Sequence, residues 1–171
     1  MKLSEEVKDA IRAEYHNFKD KMYADSPKDV RDKLGQFFTS AELTIQMIES
    51  YPVETLADRY ILDPTSGSGN LLAGCLIAGA DSDKVFGNEY DPIMVKACRE
   101  RLNNVCDLLG KPHIRDWQVH RGNAMDSFCL KEFGIHYKEK LRQHYLEIDD
   151  PLMLANGKLS KEREEFLKEV D

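Results

Sequence analysis

No apolar run in this 171-residue sequence approaches the roughly 18 residues that a membrane span requires, so no transmembrane segment is expected. The N-terminal stretch MKLSEEVKDAIRAEYHNF lacks the apolar core of a secretory leader and does not read as a signal peptide. Cysteine is sparse. Cys75, Cys98, Cys106 and Cys129 are widely spaced and form no CxxC pair, and the five histidines are scattered. They read as reduced core thiols of a cytoplasmic protein rather than as a zinc site. The sequence also lacks any arginine–lysine block that would offset its net charge of −7. An acidic chain is repelled by DNA phosphates, so strong DNA binding by this chain alone is not expected. Internal repeats and low-complexity segments are absent, and the length suits one domain with a respectable core.

The sequence does contain a regular alternation of elements. Residues 4 to 24 form an amphipathic helical pattern, with Ser4 as N-cap and Val7, Ile11, Tyr15, Phe18 and Met22 recurring three and four apart. Ser26-Pro27 restarts a short helix, with proline at its favoured first position. Thr39 and Glu42 have capping-box spacing, ahead of a helix whose apolar face reads Leu43, Met47, Ile48 and Tyr51. From there strands and helices alternate. Arg59 to Asp63 reads as a short buried strand, Asn70 to Gly79 as a helix, and Lys84 to Glu89 as a second strand. Asp91-Pro92 opens a long helix with Met94, Cys98, Leu102, Val105 and Leu109 on one side, closed by Gly110. Ile114 to His120 reads as a third, more polar strand. A β-α-β-α-β order implies a parallel α/β sheet with right-handed crossovers. Three segments result: N-terminal helices over residues 1–52, an α/β core over 53–128, and a C-terminal tail over 129–171. The tail carries a helical pattern at 130 to 148, an Asn-Gly turn signal in LANGKL and a short charged helix at 160 to 171.

The turn between the first strand and its helix, ILDPTSGSGNLL, is the most informative stretch. A glycine-rich turn here aims backbone N–H groups and a helix N-terminus at an anionic group. The dinucleotide pattern G-x-G-x-x-G would need glycine at position 72, where the sequence has Leu72. Asp63 argues further against a pyrophosphate, because a carboxylate about 4 Å from one is repelled by roughly 1 to 4 kcal/mol. S-adenosylmethionine (SAM) has the opposite chemistry. Its ammonium and cationic sulfur suit an acid, and its carboxylate suits glycine N–H groups. Glu89 lies 22 positions beyond Gly67, the spacing of an acid that binds ribose hydroxyls.

Four stretches, LGQFFT (34 to 39), LDPTSGSGNLL (62 to 72), GNEYDP (87 to 92) and RGNAMD (121 to 126), occur in the order and spacing of amino-methylating DNA methyltransferases. The chain most resembles the adenine-N6 group, which includes modification subunits of restriction–modification systems. The resemblance implies a Rossmann-like SAM-dependent methyltransferase fold in truncated form, with three parallel strands and N-terminal helices. It implies that Phe37, Phe38 and Thr39 close over the methionine end of SAM. Asp63, Thr65, Gly67, Gly69 and Asn70 would line the loop beneath it, Glu89 would bind the ribose, and Tyr90 would pack on the adenine. Asn123 and the backbone of Ala124 would read the adenine edge, although many relatives have aspartate where Asn123 stands. Simple core packing is the competing expectation for Phe37 and Phe38.

One part of that family pattern is missing. Its members methylate a flipped adenine with an Asp/Asn/Ser–Pro–Pro–Tyr/Phe loop after a fourth strand. Residues 127 to 171 contain no Pro-Pro dipeptide, and Asp149-Asp150-Pro151-Leu152 is only a distant approximation. No catalytic residue for base methylation is therefore expected. In the family the first strand is central, so here its outer edge would be bare, and bare edges are normally covered. The expected cover is the tail, a second copy of the chain, or a complementary methyltransferase subunit through which DNA would be reached. The other expectation is a protein that binds SAM without methylating: one that sequesters, senses or degrades it, or regulates a methyltransferase.

Overall fold

The computed structural model describes residues 2–25, 28, 31–32 and 36–124. Ser4 starts the first helix, α1 (Glu5–Asp25): its hydroxyl accepts the N–H of Val7 at 3.3 Å, and Glu5 and Glu6 sit in the positive first turn. The expected stripe is the buried one. Ile11, Phe18 and Met22 are buried, with Val7 and Tyr15 packed at the margin of the core.

The next helix, α2 (Ala41–Glu49), departs from expectation. Its N-cap is Ser40, whose hydroxyl accepts the N–H of Leu43 at 3.2 Å. Thr39 instead lends its carbonyl to Asn70, so no box with Glu42 forms. The buried face is Ala41, Thr44, Ile45 and Ile48, while Leu43, Met47 and Tyr51 lie exposed. Close approach to the following helix selects this face. A Cβ on Gly74 would lie 2.4 Å from the Thr44 methyl, so only glycine lets the two helices meet there.

Three parallel strands follow in the order β1 (Ile61–Asp63), β2 (Val85–Glu89), β3 (Val119–Arg121). Leu62 pairs with Phe86 and Asn88 with His120. The connecting helices are α3 (Asn70–Ile77) and α4 (Pro92–Leu109), and right-handed crossovers between successive neighbours put both on one face of the sheet. Helix α3 is apolar on nearly every side and is buried by α1, α2, α4 and the sheet. Helix α4 begins as expected, with the Asp91 carboxylate accepting the N–H of Ile93 at 2.9 Å, and it ends at Gly110 in the left-handed region (φ 63°). Leu109 is 40% exposed and does not join the face of Met94, Cys98, Leu102 and Val105.

Two strands differ from their expected form. β1 is three residues long rather than five, and Leu62 is 51% exposed rather than buried. Among the described residues β1 is an edge strand, paired on one side only. β3 starts at Val119 because residues 116–118 make a 3-10 turn, stabilised by Gln118. The Gln118 side chain accepts the N–H of Arg115 and donates to the carbonyls of Ser82 and Val85, which holds the chain out of extended form until Val119. On the sheet face away from α3 and α4, Tyr60 and Trp117 flank the buried Phe86 at ring separations of 6.2 and 5.9 Å.

Helices α1 and α2 belong to the same compact unit as the sheet, spanning Met1–Asn123. Their link is electrostatic as well as apolar. Arg101 of α4 is 1% exposed, and its guanidinium donates to both carboxylate oxygens of Glu14 on α1 and to the Asn70 side-chain oxygen. The Phe18 ring lies 4.6 Å below it. Cys75, Cys98 and Cys106 are free, buried thiols, whereas Cys129 and the elements expected at Ser26-Pro27 and beyond residue 128 lie outside the described residues.

Removing one partner of such a buried pair strands the other charge, at a cost of about 3 to 5 kcal/mol. Glu14→Ala is therefore expected to lower unfolding stability by that amount in urea titrations. Adding Arg101→Met should restore most of the loss. A Glu14→Ala variant as stable as the parent would remove this pair from the account of the fold.

Candidate functional site

The carboxyl ends of the strands carry the chemistry. Asp63 is the last residue of β1 and Glu89 the last of β2; by register Asp63 lies opposite Gly87, and Glu89 lies opposite Arg121. Open parallel sheets bind ligands at this end, where the connecting loops diverge.

The loop 64–69 is shaped by its glycines. Gly67 (φ 52°) and Gly69 (φ 83°) both adopt left-handed conformations that other residues resist. Gly69 has a second reason to be glycine, because a Cβ there would sit 2.8 Å from the Cys98 sulfur on α4. Buried Ser66 pins the loop to β2, its N–H and hydroxyl both donating to the Asn88 carbonyl, at 2.8 and 3.2 Å. The Asn88 side chain donates to the carbonyls of Pro64 and Gly122, joining the loops after β1 and β3 through the strand between them.

Each carboxylate has a distinct environment. Glu89 accepts the N–H of Gly67 at 2.8 Å on one oxygen and the N–H of Asp91 at 2.9 Å on the other. This differs from the expectation that the glycine N–H groups stand free for a ligand, since Gly67 is already engaged. A carboxylate has about four acceptor positions, so Glu89 retains capacity for two hydroxyl donors. Asp63 accepts the N–H of Thr65 at 3.1 Å. Burial, and secondarily the charge of Glu89, push the Asp63 carboxyl above its ordinary value, with the Thr65 hydrogen bond opposing. A cation would relieve that strain. The N-terminus of α3 lies next to these acids, and its N-cap, Gly69, brings no side-chain hydrogen bond to the first-turn N–H groups.

Phe37, Phe38, Thr39, Asp63, Thr65, Gly67 and Asn70 line one crevice, together with Ser66, Ser68 and Leu71. Asn70 donates to the Thr39 carbonyl at 2.7 Å and Gln36 to the Asp91 carboxylate at 3.0 Å, which holds residues 36–39 across the crevice as a strap. The two phenylalanines part company. Phe38 packs edge-on against Tyr23 at 5.5 Å and joins the cluster of Phe18 and Met22, the plain core role. Phe37 is 95% exposed and does not close over the crevice. Gly69 and Glu89 do not line it either, Glu89 reaching it only through its bond to Gly67. Tyr90 and Asn123 are exposed and do not line it, and Ala124 falls outside the compact unit. The crevice volume is only about 30 Å³, room for a water molecule rather than a nucleoside.

Comparisons with known protein families, with curated protein sequences and with solved structures found no match.

The sequence reading missed three residues that build the site: Ser66, Asn88 and Arg101. Arg101 left a signal, because it occupies the apolar stripe Met94–Cys98–Arg101–Val105, just as Glu14 occupies Ile11–Glu14–Phe18. A charge inside such a stripe calls for a buried partner. The thiols of Cys75 and Cys98 are each pushed up to about 12 by burial, so neither supplies a thiolate nucleophile near the loop.

The raised Asp63 pKa gives a signed expectation. Its ionised form is disfavoured on folding, so the penalty is present at neutral pH and vanishes below the ordinary value of 3.8, where both states are protonated. Asp63→Asn, which keeps an acceptor for Thr65, should raise the thermal midpoint at about pH 7 and leave it unchanged at about pH 3. A midpoint that falls at neutral pH would mean the carboxylate is stabilised rather than strained.

Proposed function

We propose that this chain is the SAM-binding part of a DNA adenine-N6 methyltransferase-like protein, with a Rossmann-like methyltransferase fold. One observation carries the reading. A carboxylate raised by burial, Asp63, stands beside a left-handed glycine loop that is itself tied to a second carboxylate, Glu89, at the ends of adjacent parallel strands. Two acids at this position disfavour a diphosphate and favour a ligand that is cationic at one end and carries a diol at the other.

In this reading Asp63 takes the ammonium of SAM. The first-turn N–H groups of α3 face its carboxylate, and the spare lone pairs of Glu89 accept the ribose hydroxyls. The strap must open, since the crevice is smaller than the ligand; Phe37, already exposed beside it, is the side chain that would fold inward, with Tyr90 against the adenine. The base-methylating loop and the DNA-binding surface come from another segment or a partner subunit. Residues 127 to 171 carry no Pro-Pro dipeptide, and the net charge of −7 opposes DNA binding. The same two features favour a second reading, a protein that binds SAM and does not methylate DNA.

Calorimetry with SAM tests the shared core of both readings. Loss of a charge-assisted hydrogen bond of roughly 1.5 to 3 kcal/mol should weaken binding about 10- to 150-fold in Asp63→Ala and in Glu89→Gln. NAD should give no heat. Unchanged SAM affinity in both variants, or NAD binding in place of SAM, would refute the assignment. Transfer of tritiated methyl groups to DNA distinguishes the readings: none is expected from the chain alone, and transfer on adding a complementary subunit favours the first.

A further inference from the structure

The crevice is not the only built concavity. A second groove of about 470 Å³ runs between α4 and the carboxyl end of β3, and it gathers Lys96 and Arg99 of the helix with Arg121 of the strand. Two carboxylates share it, Glu100 and Asp116. Glu100 pairs outside the groove with Lys21 at 2.6 Å, which, with a smaller contribution from Lys96, holds its carboxyl below the ordinary range. Asp116 on the rim is exposed, as Lys96 and Arg121 are, so water and salt screen all three alike, and the groove's three cations outnumber its two carboxylates by one. A net positive pocket therefore exists on a chain of net charge −7.

Arg99 shows how the pocket is organised. Its Nε and one terminal nitrogen donate to the Val119 carbonyl at 3.1 and 2.8 Å. A carbonyl orients the guanidinium without cancelling its charge, so the remaining N–H groups are fixed in place and half-buried. Lys96 feels the Glu100 carboxylate four residues on, whereas no hydrogen bond or close ion pair ties Arg121 to another described residue. Asn103 accepts the N–H of Ile114 on its side-chain oxygen, which leaves its amide N–H₂ available as a further donor.

We propose that this groove is a binding site for the phosphate group of a small phosphorylated metabolite, of nucleotide size or less. A planar guanidinium in fixed orientation flanked by two further cations matches a phosphomonoester, which presents several oxygens and nearly two charges. A nucleic-acid strand is the less suitable source of phosphate, because the acidic remainder of the chain repels a polymer that one compact ligand avoids. Ligand held here would bridge α4 to the end of β3, next to Glu89. The site stands independently of SAM binding.

Ribose 5-phosphate, which lacks both the adenine and the methionine part of SAM, is the probe. Calorimetry should show saturable binding with Kd at or below about 1 mM, and ribose should give none. The double substitution Lys96→Gln/Arg121→Gln, on exposed side chains, should weaken binding at least about ten-fold while leaving the thermal midpoint unchanged. SAM affinity measured on the same variant should not move, so loss of one site is distinguishable from loss of the other. The proposal is overturned by no binding of ribose 5-phosphate, by equal binding of ribose, or by undiminished binding in the double variant. It is equally overturned if a ten-thymidine strand binds and ribose 5-phosphate does not, since that would make the groove a polymer site.

Discussion

A single buried guanidinium governs where the loop, the strap and the N-terminal helix stand. Arg101 reaches Glu14 on α1 and Asn70 at the start of α3, and Asn70 reaches the Thr39 carbonyl of the strap. Buried ion pairs of this kind add little net stability over apolar replacements, but stranding one partner is costly. The geometry is therefore locked more than it is strengthened. Moving α1 would uncover Arg101, and an unsatisfied Arg101 would release the side chain that holds the strap over the glycine loop.

The carboxyl ends of the strands follow the same logic of mutual satisfaction. Glu89 uses both oxygens to brace Gly67 and Asp91, so it is a structural strut as well as a potential ligand acceptor. Asp63 has one backbone donor and a raised pKa, and is the less satisfied of the two. The two acids are thus satisfied to different degrees, Glu89 by two backbone donors and Asp63 by one. The crevice is narrow because two hydrogen bonds, Asn70 to Thr39 and Gln36 to Asp91, hold the strap against the loop.

The positive groove beside β3 shows what a linear charge count conceals. Lys96 and Arg99 are three residues apart and face one side of α4, while Arg121 arrives from the end of β3, more than twenty residues later. No basic block exists in the sequence, yet the fold assembles a local one against the overall acidity.

The sequence by itself determined the alternation of strands and helices, the caps at Ser4 and Asp91, the stop at Gly110 and the two acids at the strand ends. Those features are local: a cap, a periodic stripe or a left-handed glycine is dictated by neighbours within a turn or two. The buried side of α2, the shortness of β1, the delayed start of β3 and the separate fates of Phe37 and Phe38 were settled only in three dimensions. Each depends on a partner far along the chain, as Thr44 does on Gly74, Gln118 on Val85 and Phe38 on Tyr23. The Glu14–Arg101 pair bridges both regimes. Each charge breaks an apolar stripe visibly in the sequence, but only the tertiary structure brings the two together, because a charge removed from water must find its counterion wherever packing allows.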